Sequence, residues 1–217
     1  MKRLSLRSIV ANVSSLVLVM VFIMSAGSQV AAQEKKWPET LTFKTDGIGW
    51  GLLMVNAAVE ADFNAHWSGQ VAGYWSDWNY FTSRVKFRTL SFFPEVRWWP
   101  AGCGRGWFGS AHLGLSWYNH AIGGKYRTQD RGGDDPAAGG GFGMGLRLPL
   151  GSGGHWGLEL SAGAGVYYVH FDKFHNHHNG LLVRSDRSVR LLVDRLSLSF
   201  TYSIDATRGR SKKGGSL

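Results

Sequence analysis

WGLELSAGAGVYYVH, the segment from Trp156 to His170, alternates between two kinds of side chain. Its even positions up to Tyr168 are all apolar, whereas its odd positions are small or polar and hold a single carboxylate. A period of two predicts a β-strand that presents two different faces. Residues 192–204 repeat the alternation, with leucines and aromatic residues on one side and Arg195, serines and a threonine on the other.

Eight segments of this kind follow one another along the chain. The connections after the second, fourth and sixth are short and those after the third, fifth and seventh are long, as in outer-membrane barrels with short periplasmic turns. We therefore predict an all-β fold, an eight-stranded antiparallel up-and-down transmembrane β-barrel at residues 41–204. The predicted strands are 41–52, 56–63, 67–76, 89–99, 107–119, 137–148, 156–170 and 190–204.

Two predicted strands contain irregularities. In the first strand the alternation slips at Gly47 to Gly51, which predicts a β-bulge and leaves open which face of this strand meets the membrane. The connection after this strand is also short, although it should lie on the outside of the cell. Pro94 lies within the fourth strand and lacks a backbone N–H, so we expect a bulge or a locally unpaired site there.

The ends of the chain are predicted to lie outside the barrel. Residues 1–32 combine a basic start, a short apolar run and small residues before Gln33, which is typical of a secretory signal peptide. A retained anchor helix is the alternative, but a spanning helix needs about 20 apolar residues. Residues 33–40 then form a periplasmic lead-in and residues 205–217 a basic flexible tail. Removal of the leader's three basic residues lowers the net charge from +9 to about +6.

The strand faces favour an outer-membrane location. The apolar faces of strands two to eight carry no charged residue in their central spans, where an Arg or Lys costs about 2–4 kcal/mol. Aromatic residues near the strand ends predict two girdles in contact with outer-membrane lipid, namely Trp67, Trp75, Trp98, Trp107, Trp117, Trp156, Tyr168 and Tyr202. Charged residues on the polar faces predict an ion-pair network in the lumen, formed by Glu60, Asp62, Glu95, Arg97, Arg147, Glu159 and Arg195.

No chemical motif in the chain is strong. His170, His175, His177 and His178 lie close together beside Asp172 and are weak candidates for zinc, copper or nickel ligands, with a solvated polar loop as the simpler interpretation. We expect no metal, no cofactor, no catalytic residue and no binding of nucleic acid.

Two further possibilities concern the lumen. His112 with Ser110 or Ser116 and Glu95 is the one combination that suggests a hydrolase, and it requires that these side chains meet. A pore is not expected, because side chains fill the interior of an eight-stranded barrel. Glycines on the polar faces of strands six and seven still leave room for a narrow water path.

Several segments resemble an uncharacterised family of Bacteroidales outer-membrane proteins, a domain of unknown function. The similar segments are LTFKT at 41–45, Asn56 with Val59 and Glu60, Trp67 with the segment 74–78, FPEVRWW at 93–99 and YYVHFDK at 167–173. Together they cover nearly all of the mature chain, and the Pro-Glu-x-Arg-aromatic-Trp part is the most specific.

The chain also departs from that family. DGIGW at 46–50 replaces the usual Asn-Leu-Leu-Tyr, the cysteines of the last long loop are missing, and the chain runs a dozen residues past strand eight. The resemblance implies a small outer-membrane barrel whose genes often lie beside those of fimbrillin and other surface adhesins. It implies no catalytic residues.

The expected function is a structural or interaction role at the cell surface, with a link to fimbrial or adhesin systems implied by the resemblance alone. A surface protein or polysaccharide would bind the long loops 77–88, 121–136 and 171–189. One alternative is an outer-membrane enzyme that acts on lipid A or acyl chains. A second alternative is a soluble periplasmic ligand-binding barrel with its apolar face inward. The oligomeric state stays open.

Overall fold

The structure is a computed structural model that describes residues 40–80, 82 and 84–206. The predicted signal peptide, nearly all of the lead-in and most of the basic tail lie outside the described residues. The elements are β1 (Thr40–Asp46), α1 (Gly47–Gly51), β2 (Val55–Asp62), β3 (Trp67–Ser76), β4 (Val85–Trp98), β5 (Gly106–Ile122), β6 (Tyr126–Asp130), β7 (Ala137–Leu150), β8 (Trp156–His175) and β9 (Leu182–Asp205). Within the described residues, no helix is long and apolar enough to cross a membrane.

The strands form one antiparallel sheet that closes into a ring. Around the ring, β1 pairs with β2, β2 with β3, β3 with β4 and β4 with β5. The ring continues from β5 to β7, from β7 to β8 and from β8 to β9, and β9 pairs with β1. The predicted all-β, antiparallel up-and-down ring is therefore confirmed. The predicted number of strands is wrong, since the sheet has nine strands rather than eight.

The additional strand is β6, which lies in the predicted loop 121–136. The ladder between β5 and β7 ends at Ser116 and Ala137, although β5 continues to Ile122. Beyond Ser116, β6 takes the place of β7 and pairs with β5 on one side and β8 on the other. The predicted loop 171–189 is also mostly strand, because β8 and β9 extend far beyond the bounds predicted for them.

The strands are staggered around the ring. The register followed once around the barrel from Asp46 returns to β9 at Ser188, eleven residues before Ser199, the residue that pairs directly with Asp46. One of those eleven is a bulge residue. In an eight-strand ring this stagger corresponds to a strand tilt of about 40°.

The two faces of the wall have opposite chemistry. Outward residues are large and apolar; Phe142 is 77% exposed. Inward residues are polar, and Glu60, Arg97 and Glu159 are each only 1% exposed. We call the half of the barrel that contains Trp98 and Trp156 the lower half, and the half that contains Trp75 and Tyr168 the upper half. The apolar face is thus outside, opposite to what the soluble ligand-binding alternative requires.

A bulge in β9 changes the direction of its side chains. Gly163 pairs with Arg195 but Ala164 pairs with Val193, so Asp194 is an extra residue. Asp194 and Arg195 both point inward, and above the bulge Leu191 and Val193 point outward. The prediction that Leu192 belongs to the lipid-facing side is wrong, because Leu192 lines an interior cavity.

The two predicted irregularities have different outcomes. Residues Gly47–Gly51 form one turn of helix and not a β-bulge, because the Asp46 carboxylate caps the backbone N–H groups of Ile48 and Gly49. Pro94 has a register partner on β3, but the ladder between β4 and β5 skips Phe93 and Pro94. The expected locally unpaired site at the proline is therefore present.

Candidate functional site

Charged side chains fill the lower half of the barrel. Glu60 and Glu159 are surrounded by Lys44, Arg97 and Arg147, and all five side chains are almost fully buried. Arg97 Nη1 lies 2.8 Å from Glu159 Oε1, and Lys44 Nζ lies 3.0 Å from Glu159 Oε2. Arg147 Nη2 is 2.5 Å from Glu60 and from Glu159. Buried charges are tolerated because each one is paired several times.

The structure brings six of the seven predicted lumen residues together. Arg195 and Arg97 both bind Glu95, which joins the upper edge of the cluster to its centre. Asp62 lies at the lower end of β2, opposite Ser68. Lys44 also belongs to the network, but it was not predicted as a lumen residue because the alternation of the first strand is irregular. The signal that could have found it is the parity of Thr42, Lys44 and Asp46, all of which point inward.

Aromatic side chains pack against this ion-pair network from below. Trp99 is fully buried, and its Nε1 donates to Ser68 Oγ at 2.8 Å. The Arg147 guanidinium lies 4.7 Å from the Trp99 ring, and that of Arg97 lies 4.3 Å from the Phe108 ring. The lower half is thus filled by paired charges above the Trp99 and Phe108 rings, whose centroids lie 4.6 Å apart and whose planes are tilted by 41°.

The upper half contains space instead. Two adjoining cavities of 240 Å³ and 480 Å³ share Phe93, Ser116, His120 and Asp194 in their linings. The larger one reaches Tyr126 on β6 and so lies toward the open end. Aromatic rings and short hydroxyl side chains line both cavities, which is typical of sites for ligands with apolar and polar parts.

Asp194, the bulge residue, lies where the two cavities meet. Its Oδ2 accepts a hydrogen bond from the Tyr167 hydroxyl at 2.7 Å and lies 2.7 Å from His112 Nε2. Asp194 Oδ1 and His112 Nδ1 are buried and have no hydrogen-bond partner among the described residues. Buried polar atoms without partners call for an explanation, and one explanation is a ligand.

Glycines make room for this carboxylate. A Cβ atom on Gly165 would lie 2.5 Å from Asp194 Oδ2, and one on Gly163 would lie 3.3 Å from Asp194 Oδ1. Both glycines lie on the face of β8 that carries small and polar residues. The sequence indicated that this face lines the lumen, but not that a carboxylate packs against it. Strict alternation places Asp194 on the apolar face of the eighth predicted strand, between Leu192 and Leu196. The statement that this face carries no charged residue in its central span is therefore wrong, and Asp194 was missed as a lumen residue.

The hydrolase combination considered above does not assemble. The imidazole of His112 pairs with Asp194, and Ser116 Oγ pairs with Ser91 Oγ at 2.7 Å. Glu95 binds the guanidinium groups of Arg97 and Arg195. His112 and Ser116 are therefore held by other partners, while Ser110, the other serine considered, hydrogen-bonds to Glu95.

The histidine-rich segment does not form a metal site either. His170 Nδ1 lies 2.6 Å from Asp135, while the rings of His175 and His177 stack 5.9 Å apart. His177 Nδ1 contacts the carbonyl of His178. The described part of the chain contains no group of three or more side chains that could hold a metal ion.

Seven of the eight predicted girdle residues are exposed on the outer face: Trp67, Trp75, Trp98, Trp107, Trp156, Tyr168 and Tyr202. The prediction is wrong for Trp117, which is only 6% exposed and packs edge-on against Phe92 with ring centroids 6.5 Å apart. The alternation indicated its side of the wall but not the packing of neighbouring rings over it.

Titratable groups at the upper rim have shifted pKa values. Burial raises the pKa of Asp130 on β6 to about 6, and burial lowers the pKa of His120 at the end of β5 to about 4. The Asp130 carboxylate accepts a hydrogen bond from the backbone N–H of Tyr118 at 3.2 Å. His120 stacks on Phe87 with ring centroids 4.3 Å apart.

Comparison with known proteins identifies the family of this chain but nothing more specific. A family described as a protein of unknown function, DUF3575, matches residues 16–204. The chain belongs to this family. The match spans every described strand except the last residue of β9. No curated protein and no solved structure matches the chain significantly. Membership of DUF3575 therefore supports the uncharacterised family indicated by the sequence and assigns no activity.

Proposed function

We propose that this DUF3575 protein is a small outer-membrane β-barrel with a structural or interaction role at the cell surface. The observation that carries the proposal is the inverted chemistry of the wall. Leu113, Phe142, Met144 and Leu160 lie exposed on the outside, while buried ion pairs occupy the inside. In water such an outer surface would be a large aggregation-prone patch, whereas in a bilayer it is the favoured solvent contact.

The spacing of the exposed aromatic residues supports the same proposal. Trp156 and Tyr168 are twelve residues apart on β8 and both lie on the outer face. With a rise of about 3.3 Å per residue and a tilt of about 40°, that separation spans roughly 30 Å along the barrel axis. This is the thickness of a bilayer's hydrocarbon core.

The two ends of the barrel favour a surface role over transport. The closed lower half opposes flow of solutes through the lumen. Strands β5, β6, β8 and β9 continue above the level of Tyr168 as a sheet extension, with turns near Gly123 and Gly180. We place this extension outside the cell, where it would contact a surface protein or polysaccharide. The link to fimbrial or adhesin systems rests on the sequence resemblance.

Membrane fractionation tests the location. We expect the protein in the outer-membrane fraction, resistant to carbonate washing, and faster on a gel when the sample is not boiled. An epitope inserted at Gly123 should be accessible to antibody on intact cells, whereas the same epitope at Gly153 should not. A soluble protein without a heat-dependent shift would overturn the proposal.

The surface role has a separate test. Replacing the tip of the β5–β6 hairpin, residues 123–125, by a neutral turn should reduce attachment of surface protein or polysaccharide while the barrel remains folded. The matched control replaces residues 151–154, the turn at the lower end. Equal effects of the two replacements would contradict a role for the upper extension.

A further inference from the structure

The barrel wall is lower on one side. β1 ends at Asp46 and β2 begins at Val55, whereas β9 continues upward from Ser199 to Leu182. β9 pairs with β1 only from Ser199 to Asp205. Above Ser199, no strand of the described chain pairs with that edge of β9. With the stagger described above, Asp46 lies roughly midway between the two aromatic girdles.

An uncharged segment covers this low point. Residues 47–54, GIGWGLLM, form α1 and the link to β2, and Trp50, Leu52 and Leu53 are each about half exposed. The Asp46 carboxylate also accepts the backbone N–H of Leu198 at 3.0 Å, so the segment is tied to β9. An apolar segment without charges at this depth suits contact with lipid chains and not with water.

The smaller cavity reaches this side of the wall. Its lining includes Ile48, Leu52 and Met54 from the segment and Leu196 from β9. Leu196 points outward and is 61% exposed, yet it borders the cavity. No strand of the described chain pairs with this edge of β9 at Leu196, which leaves room for the cavity to open through the wall between the segment and β9. Unpaired backbone at membrane depth is tolerated where it lines such a cavity.

We propose that the upper half binds a single-chain amphiphile with an uncharged head group, whose acyl chain enters from the outer leaflet between α1 and β9. This inference rests on the proposed membrane location. The chain would lie against Met54, Leu52, Phe87 and Phe93. The head group would reach Asp194 Oδ1 and Arg195 Nη2, two of the thirteen buried polar atoms without a hydrogen-bond partner in the described structure, and both residues line the smaller cavity.

The charges that line the cavities favour an uncharged head group. The Asp46 carboxylate is bonded to backbone N–H groups, the Asp194 carboxylate to His112 and Tyr167, and the guanidinium of Arg195 to Glu95. Arg190 also lines the larger cavity and donates a hydrogen bond to Ser188 Oγ. A charged head group would satisfy only one of the two partnerless atoms, the donor Arg195 Nη2 or the acceptor Asp194 Oδ1. Hydroxyl groups can instead bond to Asp194 Oδ1 and to the Ser91–Ser116 pair, which is a neutral polar surface.

The test uses photoreactive monopalmitoylglycerol and the full mature barrel in phosphatidylcholine nanodiscs, where no single-chain detergent competes. In the wild type, crosslinks should map to peptides around residues 48–54 and 192–196. Met54→Trp should narrow the opening and reduce crosslinking by about tenfold, equivalent to about 1.4 kcal/mol. Met144→Trp, the same substitution on the lipid-facing side of β7, should leave crosslinking unchanged.

A second pair of variants keeps the test decisive if Met54→Trp fails to fold. Leu196→Trp lies at the opening and should reduce crosslinking, whereas Leu160→Trp faces lipid on β8 and should not. Photoreactive palmitate, with the same chain and an anionic head group, should crosslink less than the glycerol ester. Stronger crosslinking of palmitate would overturn the assignment of the head group.

The outcomes separate this inference from the proposed function. Crosslinks spread evenly over the lipid-facing wall, or equal crosslinking of all four tryptophan variants, would overturn the binding site while the barrel stands. Extension of a partner's strand along the free edge of β9 is then the remaining use of that edge. Absence of the heat-dependent gel shift and of outer-membrane fractionation in the wild type would instead overturn the proposed location.

Discussion

The lower and upper halves of the barrel are built from the same alternating strands, but the lower half is filled with side chains and the upper half contains cavities. In the lower half, Glu60 and Glu159 each contact three cations, and Trp99 and Phe108 close the space beneath them. In the upper half, cavities replace side chains, and Asp194 Oδ1 and Arg195 Nη2 are buried without partners in residues that line them. The difference indicates that the lower half is filled by paired charges, while the upper half has the space that the proposed ligand requires.

The largest expected effect comes from the centre of the ion-pair network. Glu159→Gln leaves Lys44, Arg97 and Arg147 buried with Glu60 as their nearest remaining acid, so we expect a loss of about 3–5 kcal/mol in the free energy of unfolding. Asp194→Asn in the upper half should lose only about 1–3 kcal/mol. Urea unfolding of the two variants in lipid vesicles measures both. Equal losses would remove the energetic contrast between the halves.

Two adjacent tryptophans sharpen the contrast between the inside and outside of the lower half. Trp99→Ala removes a fully buried ring and its hydrogen bond to Ser68, and we expect a loss of about 3–5 kcal/mol. Trp98→Ala, whose ring is 47% exposed on the outer face, should cost clearly less. The same urea titration compares them, and a larger effect at Trp98 would mean that the faces of β4 are assigned incorrectly.

The bulge in β9 predicts an intermediate effect. Gly165→Ala places a Cβ atom 2.5 Å from Asp194 Oδ2 and 2.8 Å from the backbone oxygen of Gly140, and should cost about 1–3 kcal/mol because the carboxylate and the neighbouring strand must move. Gly109→Ala is the matched control, since no atom lies within 4 Å of its added Cβ. If both alanine variants unfold at the same urea concentration as the wild type, Asp194 does not occupy the position described.

The smallest expected effect is a pair of opposing pH dependences at the upper rim. The pKa of Asp130 is raised from 3.8 to about 6, so its contribution to stability is present at low pH and is lost as pH rises through about 6. The pKa of His120 is lowered from 6.5 to about 4, so its contribution is present above pH 6.5 and is lost as pH falls.

These two contributions should oppose each other between pH 4 and 6. In Asp130→Asn, hydrogen-exchange protection of β6, corrected for intrinsic rates, should fall as the pH is lowered. In His120→Phe, which keeps a ring on Phe87, protection should rise as the pH is lowered. The same slope in both variants would show that other groups control this hairpin.

Much of the wall was predictable because alternation is a local property. Whether Glu95, Arg97 and Arg147 point inward follows from their parity along each strand, and so does the outward position of Trp98 or Leu160. The additional strand β6 was not predictable in this way. Its five residues, YRTQD, become a strand only because β5 and β8 both extend past the end of β7 and offer two free edges.

By itself, the sequence determined the antiparallel all-β ring and the chemistry of its two faces, since both depend on a period of two within single segments. Only the tertiary structure decided that Asp194 turns inward, that Lys44 joins the ion pairs and that, within the described chain, β9 has no strand partner beside α1 above Ser199. Each of these depends on the register between strands far apart in the chain, where one extra residue reverses the direction of a side chain.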